Sequence, residues 1–206
     1  MVITPPQPRK VFQVLITQNA TLLDTLQISV LDIEKMAKMS SGFRSMLIGT
    51  SAEMQLTRLL GTNSQLAFFE KNPDLDRAKR SDFTITYKGT PFRMELKSEN
   101  VDGFVKLKTS DSVTYKREDG IYTTTALPTD RFDILAVSLF NRGKGWSFAF
   151  VEADDIARTR HKVIPEQYVG EYFASSIDLN DYDDVATSDP FTLFERIMQR
   201  NASQAA

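Results

Sequence analysis

The chain has 206 residues, 41% of them hydrophobic and 25% charged, a balance that suits a globular domain with a real core and excludes disordered or fibrous classes. It holds no cysteine, which excludes disulfides and thiolate metal sites and points to a reducing, cytoplasmic compartment. The formal charge is −2, so any polyanion must be met by a local basic cleft and not by the overall field.

Residues 1–10 read as a Pro-rich lead without the apolar core of a signal peptide. No run approaches the roughly 18 apolar residues of a membrane span. A short apolar run, Val11 to Ile16, reads as a strand or an opening helical turn. Leu23, Leu26, Val30, Ile33 and Met36 then recur at three and four, predicting one amphipathic helix over residues 21–39 that packs on the core. Ser40, Ser41 and Gly42 break it. A second helix is predicted over 43–60, closed by Gly61. Within it, Leu56 and Leu60 place Glu53 on the apolar face, where an unpartnered charge is costly. Thr50 to Glu53 also fits a capping box, with Glu53 reaching back to a free amide. Leu66 to Phe69 reads as a buried strand.

Residues 70–80 form a charged loop containing Pro73-Asp74. Two short strands follow: Phe83, Ile85 and Tyr87 alternate with polar residues, then Phe92, Met94 and Leu96 do the same. Lys88, Gly89, Thr90 and Pro91 supply the turn. If Tyr87 pairs with Phe92, Asp82 stands opposite Lys97 and Thr84 opposite Glu95. The apolar side chains then share one face, and Asp82, Glu95 and Lys97 share the other. Two carboxylates suit Mg²⁺, which takes oxygen ligands and leaves positions for water and phosphate. A lysine beside them can orient or deprotonate an attacking water, or stabilise charge on a phosphate.

Residues 99–122 are polar and rich in turn formers. Lys106, Lys108, Lys116 and Arg117 are interleaved there with Phe104, Tyr115 and Tyr122, a pattern suited to phosphate contact and base stacking. Asp133 to Phe140 is a continuous apolar run, the mark of a strand buried on both faces, and Trp146 to Val151 is another. Arg158, Arg160, His161 and Lys162 form a small basic cluster that reads as a solvated helix end. Residues 177–190 are acidic and loop-like, and a short helix over 191–200 ends the pattern. A single histidine and no cysteine exclude HNH nucleases, zinc fingers and Cys-His nucleophiles. There is no Gly-x-Ser-x-Gly elbow and no phosphate-cradling loop, and Arg142 to Gly145 is too short to hold a nucleotide.

Asp82 on one strand and Glu95-x-Lys97 on the next resemble the PD-(D/E)xK nuclease superfamily, which includes type II restriction endonucleases. Ser81 stands where the name-giving proline would be. Arg131 to Val137 is similar to sheet-core strands of restriction-endonuclease-like proteins, and the order of elements over residues 43–151 matches that core. The resemblance implies an α/β fold with a restriction-endonuclease-like mixed central sheet flanked by helices, in a single domain. Residues 1–42 would be an N-terminal lead and helix, and 152–206 a C-terminal extension. It implies hydrolysis of double-stranded DNA with Mg²⁺, or Mn²⁺ as substitute. Asp82, Glu95 and Glu53 would bind the metal, Glu53 as a helical accessory ligand, and Lys97 would act on the attacking water. A structure-selective or repair nuclease of the same fold is an alternative, as is a catalytically silent DNA-binding module. Cutting both strands of a palindrome requires two centres on a two-fold axis, hence a homodimer; a partner methyltransferase is not legible in the sequence. Asp74 follows a literal proline, yet Asp82 opens the strand that carries the other two groups, and strands fix ligands better than loops.

Overall fold

The computed structural model describes residues 21–73, 81–143, 145–158 and 165–204. Val11 to Ile16, Asp74, Arg160, His161 and Lys162 lie outside the described residues. The chain divides into two compact units, Met1–Ile48 and Gly49–Ala206, where the sequence suggests one domain.

The helix expected over 21–39 is two helices, α1 (Leu22–Leu26) and α2 (Val30–Met39). Gln27 takes a φ of 52° and ends the first. Ser29 then opens the second with a capping box: its hydroxyl accepts the Asp32 amide at 3.2 Å, and Asp32 accepts the Ser29 amide at 2.9 Å. No residue of α2 is buried, and Val30 is 64% exposed. α3 runs Ser41–Leu60 and buries Ala52, Leu56 and Leu60. Gly61 ends it by donating to Thr57 O at 2.7 Å. A Cβ at Gly61 would lie 2.6 Å from that carbonyl oxygen, so only glycine fits.

β1 (Leu66–Lys71), β2 (Phe83–Tyr87) and β3 (Thr90–Ser98) come next. Then follow β4 (Phe104–Lys106), β5 (Lys108–Arg117), β6 (Gly120–Ala126), β7 (Ile134–Ser138), β8 (Phe148–Glu152) and β9 (Ser176–Asp178), before α4 (Pro190–Gln204). Among the described residues a five-stranded sheet has the order β1-β2-β3-β7-β8. β3 and β7 are parallel and every other pair in it is antiparallel, so the sheet is mixed. A parallel pair needs a long crossover. Here it carries β4, which pairs with β9, and the β5–β6 ribbon, in place of the loop expected over 99–122. β1 is an edge strand, not a buried one, and Phe68 on it is 47% exposed.

All five residues of β7 are buried, as its unbroken apolar run requires, and they alternate between two cores. Ile134 and Ala136 join Phe83, Ile85, Phe92 and Met94 under α3 and α4. Leu135 and Val137 join Val105, Leu107, Leu127, Phe132, Phe173 and Ile177 on the other face. Residues beyond 152 therefore build both cores. α4 starts with Pro190 after Asp189, whose carboxylate accepts the Phe191 amide at 3.0 Å, and it buries Leu193, Phe194 and Ile197. Its Glu195 accepts the Tyr87 hydroxyl at 2.6 Å and pairs with Lys88, tying the helix to the β2–β3 turn.

Candidate active site

The turn between β2 and β3 is two residues long. Lys88 and Gly89 have φ of 46° and 82°, the positive values that a type I′ hairpin turn requires at both positions. Thr90 and Pro91 belong to β3, so the register differs by two residues from the one expected. Tyr87 pairs with Thr90, Ile85 with Phe92 and Phe83 with Met94. Continuing that ladder puts Asp82 beside Glu95 instead of Lys97. An even shift leaves every side chain on its face. Asp82, Glu95 and Lys97 still converge, on the side of the sheet that Leu135 and Val137 share with Glu95 and Lys97.

Asp82 is held from both directions. Its carbonyl accepts the Asn72 amide at 2.8 Å, and its Oδ2 accepts the Leu96 amide at 2.8 Å. Buried Asn72 also donates to Ser81 O at 2.8 Å and accepts from the Thr84 hydroxyl at 3.1 Å. Ser81, at the position the superfamily's proline would take, is buried and donates to Phe83 O at 3.1 Å. Serine thus secures the strand entry by hydrogen bonds.

Glu95 is 2% exposed and accepts Lys97 Nζ on Oε1 at 2.6 Å. Its Oε2 is buried and accepts no hydrogen bond from the described residues; Arg131 Nε stands 3.6 Å away. Burial, and then the charge of Glu95, push the Asp82 carboxyl from its ordinary 3.8 up to about 6; Lys97 and the Leu96 amide oppose the rise, and Glu53 adds to it. Burial presses Lys97 downward, but Glu95 and Asp82 outweigh it and hold the amine above its ordinary value. Beside the two metal-free carboxylates Lys97 is therefore an ammonium, suited to orienting a water and to charge stabilisation.

Two adjacent carboxylates, one of them raised by burial and then by its neighbour's charge, and one buried oxygen without a donor fit a hard divalent cation. A third carboxylate does not join them. Glu53 lies in the middle of α3, with no free amide to cap, and pairs with Lys71 at 3.1 Å. Among the described residues, no group of three or more His, Asp or Glu could hold a metal. The capping-box reading fails because α3 starts at Ser41, well before Thr50.

The basic residues separate. Lys106, Lys108 and Lys116 are exposed on β4 and β5. Arg117 faces the other side of the ribbon, paired with Glu171 and stacked 4.9 Å over the Tyr168 ring, so it is committed to packing. Arg158 is likewise structural: it lies 4.6 Å over Phe173 and donates to Ala153 O at 2.9 Å. Sequence reasoning missed Arg131 and Asn72 as members of the site. It also missed Glu99, a buried carboxylate held by Arg142 through bonds of 2.6 and 2.8 Å. An exposed-looking arginine at a turn and a lone asparagine carry no local signal of such long-range contacts.

No protein-family model matches the chain, and no curated protein matches it. A solved structure of a bacterial homing endonuclease aligns over 81% of this chain and 99% of its own, at 14% identity and a TM-score of 0.37. A likeness of that size leaves any assignment to the chain's own residues.

Proposed function

We propose that the chain is a metal-dependent endonuclease that hydrolyses phosphodiester bonds of double-stranded DNA, of the type II restriction endonuclease kind. The observation that carries this reading is the convergence of Asp82, Glu95 and Lys97 on one face of the sheet, with Lys97 Nζ 2.6 Å from Glu95 Oε1. Asp82 and Glu95 would hold Mg²⁺, with Mn²⁺ as substitute. Such an ion supplies Lewis acidity and charge neutralisation at the phosphate.

The rest falls to the chain. The Lys97 ammonium gives one donor to Glu95 and offers the others to the attacking water and to developing charge on the phosphate. Glu53, engaged by Lys71, adds only a minor share to the rise at Asp82, after burial and Glu95. Lys106, Lys108 and Lys116 would meet phosphates of the duplex, and two copies on a two-fold axis would cut both strands.

Purified protein incubated with plasmid and genomic DNA in Mg²⁺, with an EDTA control, tests the reading. Discrete fragments that vanish in EDTA support site-specific cutting. Cleavage only at branched or damaged substrates would make it a repair nuclease. No cleavage of any duplex would leave a silent DNA-binding module and overturn the reading. Sedimentation on DNA checks the dimer, and a monomer there contradicts it.

A further inference from the structure

The two oxygens of Glu95 have different surroundings. Oε1 accepts Lys97, whereas Oε2 is buried without a hydrogen bond from the described residues. Arg131 Nε, 3.6 Å from Oε2, is equally buried and donates none. That separation attracts but is too long for a hydrogen bond. Two buried polar groups left unmet cost stability, and a small rotation of a long side chain would close the gap. The pair is held just short of contact. Arg131 sits in the bend before β7, its amide tied to Pro128 O at 3.3 Å and its side chain 26% exposed.

We propose that Arg131 is a displaceable counter-charge. Its guanidinium screens Glu95 Oε2 in the metal-free protein, yields to the divalent cation, and then binds a phosphate oxygen of the DNA backbone. The inference rests on the nuclease reading above. It follows from charge and reach. A cation on Oε2 would repel a guanidinium whose Nε stands 3.6 Å from that oxygen. The partly exposed side chain has solvent on one side to move into. The planar fork of arginine matches phosphate geometry better than any other side chain.

Calorimetric titration with Mn²⁺ on wild type, Arg131→Gln and Arg131→Lys tests it, each variant first shown to melt cooperatively. Arg131→Gln should bind Mn²⁺ about tenfold more tightly, the scale on which one neighbouring charge moves a carboxylate's affinity for a cation. Arg131→Lys, which keeps the charge, should stay near wild type. On a DNA duplex with Ca²⁺ in place of Mg²⁺, Arg131→Gln should bind more weakly, with the slope of log K against log salt flatter by about 0.9. Unchanged or weaker Mn²⁺ binding by folded Arg131→Gln overturns the proposal, as does an equal gain in Arg131→Lys. Should Arg131→Gln not fold, Arg131→Met, which keeps the aliphatic stem, takes its place. If wild type binds Mn²⁺ no better than Asp82→Asn, the nuclease reading falls and this one with it. If wild type binds but the Arg131 comparison fails, this proposal falls alone.

Discussion

The Leu96 amide donates to Asp82 Oδ2 at 2.8 Å, fixing the aspartate next to Glu95 at the point where β2 begins. The same bond that orders Asp82 also keeps it beside a like charge. The site is thus paid for in stability.

That cost is measurable. Asp82 titrates near 6 in the fold against an ordinary 3.8, so the folded state binds the extra proton in between. Its favourable contribution is present below about pH 4 and is lost as pH rises to about 6. Asp82→Asn keeps an acceptor for Leu96 and removes a charge that burial, and then Glu95, disfavours. It should raise stability at pH 8 by up to about 3 kcal/mol, two pKa units at about 1.4 each, and give no gain below pH 4. Metal-free denaturation at both pH values checks this; a variant less stable at pH 8 contradicts a disfavoured Asp82 charge.

Glu53 and Glu95 should behave differently. Glu53→Gln loses a part-buried ion pair with Lys71, worth about 1 kcal/mol, and cleavage should stay within about tenfold of wild type, a barrier change near 1.4 kcal/mol. Glu95→Gln should lose at least about a hundredfold. Equal losses in a cleavage time course would restore Glu53 as a ligand.

Among the basic residues, Lys106, Lys108 and Lys116 should set salt dependence and Arg117 should not. Alanine at the three lysines flattens the salt slope by about 0.9 for each phosphate that no longer meets an ammonium. Arg117→Ala keeps the slope and lowers the melting temperature through Glu171 and Tyr168. Binding isotherms across a salt series, with melts alongside, separate the two effects.

Asn72 is the support behind Asp82. Asn72→Ala leaves Ser81 O and the Thr84 hydroxyl without their partner and should cost about 1–3 kcal/mol. Cleavage should fall as well, because the entry to β2 loosens. A denaturant melt that matches wild type would remove Asn72 from the site.

Much of this architecture was legible. The alternation at Phe83, Ile85 and Tyr87, and the apolar run of β7, announce strands because burial on one or both faces leaves that period. The faces of Asp82, Glu95 and Lys97 survived a wrong register because the error was even. The register itself was hidden by Lys88, a residue seldom found at positive φ, which made a two-residue turn look like four. Gln27 concealed the break between α1 and α2 in the same way. The β5–β6 ribbon escaped because its open face carries Thr114, Lys116 and Thr123, which read as loop. Arg131 and Asn72 meet partners far away in sequence, and no local pattern reports that.

Cleavage of supercoiled plasmid in Mg²⁺ by wild type and Glu95→Gln, side by side and each shown to be folded, tests the central claim most directly. Wild type should convert the plasmid to nicked and linear forms, EDTA should stop it, and Glu95→Gln should leave it supercoiled. Equal cutting by both proteins, or none by wild type on any DNA, would contradict the assignment of Asp82, Glu95 and Lys97 as a nuclease centre.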